Sequence, residues 1–109
     1  MTKVEIFFSE DSEWTEFMFV QKGWRGDVCV KINQDAYHVC VYTLLRLQQD
    51  FDHLMGEYGF YVPDHNLIFV TETSKKEIVD TINHLAKQKY FSNCKCLDTL
   101  DTNTLVKVQ

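Results

Sequence analysis

The chain has 109 residues, 45% of them apolar and 14% aromatic, with one Pro and four Gly. That is the length of one domain, read here as residues 1–109, with enough apolar side chains for a core that needs no staples; disorder and repeat architectures are excluded. The formal charge of −5 disfavours nucleic acid as a general partner, because phosphate binding needs clustered Lys and Arg.

In chain order, Lys3–Phe8 alternates, with Val4, Ile6 and Phe8 on one side, and predicts a strand. Residues 9–15 read as a polar, acidic loop, and Phe17–Val20 as a second short strand ending before Lys22-Gly23. Residues 22–27 read as a turn or exposed loop. Val28–Ile32 and Tyr37–Tyr42 alternate cleanly around Asn33-Gln34-Asp35 and predict a hairpin, with Cys29 or a neighbour opposite Cys40. Thr43 is placed to cap a helix carrying Leu44, Leu47, Phe51, Leu54, Met55 and Tyr58 at helical spacing, with Gly59 as its C-cap. Pro63, Asp64 and Asn66 are turn formers. The unbroken apolar run Leu67–Val70 predicts a strand covered on both faces, hence a central one. Ser74 stands three residues before Glu77, a capping-box spacing. Ile78, Val79, Ile82, Leu85 and Ala86 then mark one helix face, with Lys87 and Lys89 near its end and Asn93 as a stop. Thr104–Val108 alternates weakly, as an edge strand would. The expected fold class is α+β: a largely antiparallel sheet of four to five strands with two helices packed on one face.

Chemistry-bearing motifs are few. Residues 1–9 lack a basic region followed by an apolar core, and no apolar run approaches the ~20 residues of a membrane span. A cytoplasmic protein is therefore expected, with no membrane partner, and with Cys29, Cys40, Cys94 and Cys96 as reduced thiols. Cys94-Lys95-Cys96 lacks the C-x-x-C spacing of zinc and redox sites. His38 and Cys40 share a strand face, which could pair a thiol with a base, but no orienting carboxylate is identifiable and packing explains both. The glycines form no phosphate-cradling loop. No catalytic residue, metal or cofactor is expected, and the chain is read as a non-enzyme.

An interaction surface remains. Trp14 lies among Glu10, Asp11, Glu13 and Glu16, Trp24 lies in a glycine-bounded loop beside Arg25, and Tyr58 and Tyr61 flank Gly59 near Glu57. Aromatic anchors ringed by charge are typical of protein interfaces, although either tryptophan would also serve as a cap on the core. Asp50, Asp52, Glu57 and Tyr58 on the helix after Thr43 complete the candidate partner-binding set.

The element order, and the segment from Asn66-Leu67-Ile68-Phe69-Val70 through Ile78, Ile82 and Leu85, resemble the small immunity proteins of bacterial polymorphic-toxin and contact-dependent growth inhibition systems. The likeness covers residues 28–91 and lies in size, charge and element order, with no diagnostic motif. It implies binding and neutralising a cognate toxin domain, with a nuclease as the class that suits an acidic, aromatic surface, by a monomer or weak dimer. The alternative is a small regulatory or ligand-binding α+β module acting as an oligomer through an exposed sheet edge.

Overall fold

The structure, a computed structural model, describes residues 3–60, 66–94 and 96–109. Over these residues the fold is α+β, with a five-stranded mixed sheet and three α-helices. The elements are β1 (Val4–Phe8), α1 (Glu13–Lys22), β2 (Trp24–Ile32), β3 (Asp35–Tyr42), α2 (Leu44–Tyr58), β4 (Leu67–Phe69), α3 (Lys75–Lys87) and β5 (Val106–Lys107). Short 3₁₀ turns occupy Tyr90–Asn93 and Thr102–Thr104. The strands lie in the order β4-β3-β2-β1-β5.

The expected hairpin is present: β2 and β3 pair antiparallel, with Val28 opposite Val39 and Val30 opposite Tyr37. Its turn places Asn33 in the left-handed region (φ 56°), which Asn tolerates better than most residues. β1 pairs antiparallel with β2 on one side and β5 on the other. β4 pairs parallel with β3, and a parallel pair needs a crossover, here supplied by α2.

Alternation along the strands sends Ile6, Phe8, Val28, Val30, Val39, Val41 and Ile68 into one buried cluster, and α3 seats Ile78 and Ile82 on it, with Phe91 following. Ser74 caps α3 by accepting the Glu77 N–H. The reverse face is mixed: Phe7, Ala36, Cys40 and Tyr42 are buried, while His38 is exposed.

Four expectations require correction. Residues 13–22, expected as loop and strand, are a helix: Ser12 caps it by accepting the Thr15 N–H, and Gly23 ends it in the left-handed conformation (φ 67°). The Phe17–Val20 run is continuous because α1 is apolar on two sides, with Phe17 turned outward and Phe19 inward. Residues 24–27 belong to β2, not to a loop. β4 is an edge strand, not a central one; only Ile68 of its three residues is buried. α3 ends at Lys87 with Gln88 as its cap, ahead of the expected stop at Asn93. The expectations for Tyr61, Pro63, Asp64 and Lys95 lie outside the described residues.

β2 carries a one-residue bulge between Arg25, which faces Val41, and Val28, which faces Val39. Bulges re-aim side chains, and this one lets Arg25 share the core face with Val28, three residues on. The Arg25 side chain is 1% exposed. Its Nε donates to Asp27 at 2.8 Å and its Nη2 to the Glu10 carbonyl at 2.7 Å. Its guanidinium lies 3.8 Å from the Phe8 ring centroid and 4.6 Å from that of Phe19. Asp27 also accepts from the Ser9 N–H and hydroxyl. Burial alone would raise the Asp27 carboxyl, but the bonds from Arg25 and Ser9 and the Arg25 charge outweigh it and hold the pKa below the ordinary value.

Asp27→Asn leaves the Arg25 charge buried without its counter-ion and should cost about 3 kcal/mol of stability at pH 7, read as a lowered urea midpoint. A depressed folded-state pKa means that the Asp27 contribution is whole well above the unfolded value of about 3.9 and fades as pH falls through the folded one. The gap between parent and variant should therefore close in acid; a gap that persists unchanged to pH 2 would exclude the ion pair as its cause.

Candidate functional site

The segment before α1 is fixed by polar contacts from both neighbours. Arg25 and Asp27 of β2 hold Glu10 and Ser9, as above, and the Lys75 ammonium at the start of α3 meets Asp11 at 2.9 Å. The Thr73 hydroxyl, fully buried, donates to the Phe19 carbonyl of α1 at 2.8 Å. α1 is thus held along its inner side, and its outer side carries two large aromatics. Trp14 is 67% exposed and Phe17 54%, and their rings stack with centroids 6.0 Å apart. Glu10 and Glu13 are exposed beside them.

The candidate residues separate accordingly. Glu10, Glu13 and Trp14 are all exposed, Glu10 just before α1 and the other two in its first turn. Asp11 is engaged by Lys75, and Glu16 lines a groove of about 340 Å³ with Lys75, Lys76 and Val79 of α3, so these two face cations of their own chain. Trp24 is half-buried, with its ring edge-on to Phe19 at 5.8 Å and over Gly26, where a Cβ would collide with the indole. It caps the core.

The second group lies on α2. Asp50 pairs with Arg46 at 3.0 Å, Glu57 meets His53 at 3.2 Å, and Asp52 accepts from the Gln48 amide at 3.0 Å. Tyr58 is exposed, 6.2 Å between ring centroids from Phe60. The two helices meet end to end: the Thr43 N–H donates to the Gly23 carbonyl at 2.9 Å, and Arg46 Nη1 to the Lys22 carbonyl at 3.1 Å. Gly23 is required at this junction, since a Cβ there would lie 2.6 Å from the Thr43 hydroxyl. Phe17 escaped the sequence reading although it stands three residues after Trp14, the spacing of helix neighbours; reading residues 17–20 as a strand concealed the pair.

Two of the four thiols, Cys29 and Cys94, have raised pKa values. Cys29 lies opposite His38, not Cys40, and the His38 ring is hydrogen-bonded to the Gly26 carbonyl at 2.6 Å. Burial, then the nearby Asp27 charge, pushes the Cys29 thiol up. Burial also leads the upward shift at Cys94, where the bond with Tyr90 works the other way. The Tyr37 hydroxyl is pushed up to about 12, by burial first and then by its bond to the Cys96 thiol. Among the described residues no three His, Cys, Asp or Glu side chains converge as a metal site, and no helix is long and apolar enough to cross a membrane. No family model, curated protein or solved structure matches the chain.

Raised pKa values lower the thiolate fraction near neutrality. In iodoacetamide labelling at pH 7.5 followed by mass spectrometry, exposed Cys96 should react first, and Cys29 and Cys94 more slowly than a free thiol. Fast labelling of Cys29 would reopen thiol catalysis.

Proposed function

We propose that this protein is an immunity-type inhibitor that binds and neutralises a cognate toxin domain, without catalysis, in the cytoplasm of a bacterial cell. The observation that carries the reading is the outward Trp14–Phe17 stack on α1, flanked by Glu10 and Glu13. Neither ring belongs to the buried core, and the opposite side of α1 meets the fold through Phe19. Large aromatics in contact with one another lose little side-chain entropy on docking, which is why they recur as binding anchors.

The flanking carboxylates favour a basic counterpart. A nuclease presents Lys and Arg for phosphate, so a nuclease domain fits the surface by charge. Inhibition would be by occlusion: the aromatic pair anchors while Glu10 and Glu13 meet the cations that would otherwise meet nucleic acid. Charge complementarity of this kind also speeds encounter. The reading agrees with the resemblance in size, charge and element order to immunity proteins.

The test is co-expression with the C-terminal domain of the neighbouring upstream reading frame, scoring survivors and co-purification. Trp14→Ala with Phe17→Ala should leave the melting temperature unchanged, since both rings are exposed, and weaken capture by about 10- to 100-fold, the range expected when anchor residues are truncated. Protection that survives the double substitution would remove α1 from the interface. A neighbouring domain that is harmless, or kills regardless, would remove the inhibitor reading and turn attention to ligand binding.

A further inference from the structure

The three helices differ in how much of their apolar surface the fold uses. α3 buries Ile78 and Ile82, whereas α2 buries no residue. Yet α2 has a well-formed apolar stripe of Leu44, Leu47, Phe51, Leu54, Met55 and Tyr58. At about 100° per residue, Leu47 and Leu54 form the margin of the stripe nearest Arg46 and Asp50, and these four side chains are the half-buried ones. Leu44 and Met55 form the other margin. They are 71% and 38% exposed, and Tyr58 in the last turn is 59% exposed. The helix therefore rests on one edge of its stripe and on the polar side next to it, with Arg46 reaching the Lys22 carbonyl. Most of the stripe faces outward, and Phe60, 65% exposed, extends it beyond Tyr58.

Charge indicates what would cover it. Residues 47–74 contain five carboxylates and no Lys or Arg. On α2 itself Arg46 is engaged by Asp50, while Asp52 and Glu57 are exposed and meet only Gln48 and His53 among the described contacts. A second copy of this helix laid on the stripe would bring the same carboxylates against Asp52 and Glu57. A helix with apolar side chains on one face and Lys or Arg beside them would match both features. Leu44 to Tyr58 spans about 21 Å of helix axis, room for about four turns of such a partner.

We infer that the outward side of α2 is a docking site for a basic amphipathic helix of a partner protein. The inference rests on the reading that this protein acts by binding another protein, and it adds a contact surface separate from Trp14 and Phe17. Recognition of this kind lays apolar anchors at helical spacing against one another, with flanking charge fixing the orientation.

The probe is an 18-residue peptide of Leu and Lys with Leu at helical spacing, tested against the whole chain by calorimetry and amide chemical shifts. Controls are the same peptide with Glu in place of Lys and a scrambled Leu/Lys sequence. Binding should perturb amides of residues 44–60 and weaken at least about tenfold in Met55→Ser/Tyr58→Ser and in Asp52→Lys/Glu57→Lys. It should be unchanged in Trp14→Ala/Phe17→Ala. Equal binding of a control peptide, or shifts confined to α1, would overturn the inference. So would self-association abolished by Met55→Ser/Tyr58→Ser, which makes the face a homodimer seam, or its vesicle equivalent, phosphatidylcholine binding lost in the same variant. A failed peptide experiment alongside intact protection from a toxin would remove this docking site and leave the inhibitor reading standing; lost protection alongside peptide binding would do the reverse.

Discussion

A guanidinium buried between two phenyl rings organises the first third of the chain. An isolated charge in an apolar interior is costly, and it persists only where a counter-ion and hydrogen bonds meet it. Arg25 has both: the Asp27 carboxylate lies beside it and the Glu10 carbonyl takes its remaining reach. That arrangement needs the β2 bulge, without which Arg25 and Val28, three residues apart, would point to opposite faces of the sheet. It also needs Ser9 and Glu10 to lie alongside β2, and this sets where Ser12 can begin α1. One ionic cluster thereby links β1, the acidic segment, α1 and β2, and the outward direction of Trp14 follows from it.

The helices form a series in commitment to the core. α3 is fully seated through its Ile78 and Ile82 face. α1 is seated through Phe19, its other side presenting Trp14 and Phe17. α2 is held by its first turn, through Thr43, Arg46 and the α1 terminus, and by one margin of its stripe. Apolar surface not used for folding increases along this series, and it is where a protein with no metal cluster among its described residues presents its most distinctive chemistry.

What the sequence reveals follows the range of the interactions. α3 is legible because its cap, stripe and terminal lysine all lie within about four turns. The β2–β3 hairpin is legible because alternation and turn residues agree. Phe17–Val20 misleads because four consecutive apolar residues fit a buried strand as well as a helix with two apolar sides, and periodicity over so short a run cannot arbitrate. Leu67–Val70 misleads in the same way: its continuity suggests cover on both faces, but Phe69 is exposed at the sheet edge. The Arg25 cluster is illegible in principle, since it depends on Phe8, Glu10, Phe19 and Asp27 meeting in space. Trp14 and Trp24 look equivalent in the sequence, and the contacts of the second indole with Gly26 and Phe19 separate the packed ring from the open one.

The parallel seam between β3 and β4 also has a kinetic meaning. Antiparallel β1, β2 and β3 form from near neighbours in the chain, whereas β4 joins only after α2 has carried the chain back. Its ladder is three residues long, and the helix before it contributes nothing fully buried. α2 and β4 are therefore the natural unit of partial opening: they can detach while α1, α3 and the antiparallel strands remain in place, exposing Ile68 and Val41 and leaving the Arg25 cluster intact. Amide hydrogens of α2 and β4 should then exchange through this local route, at a lower free energy than global unfolding. A partner seated on α2 would close that route and raise protection in β4 as well, backbone it never touches.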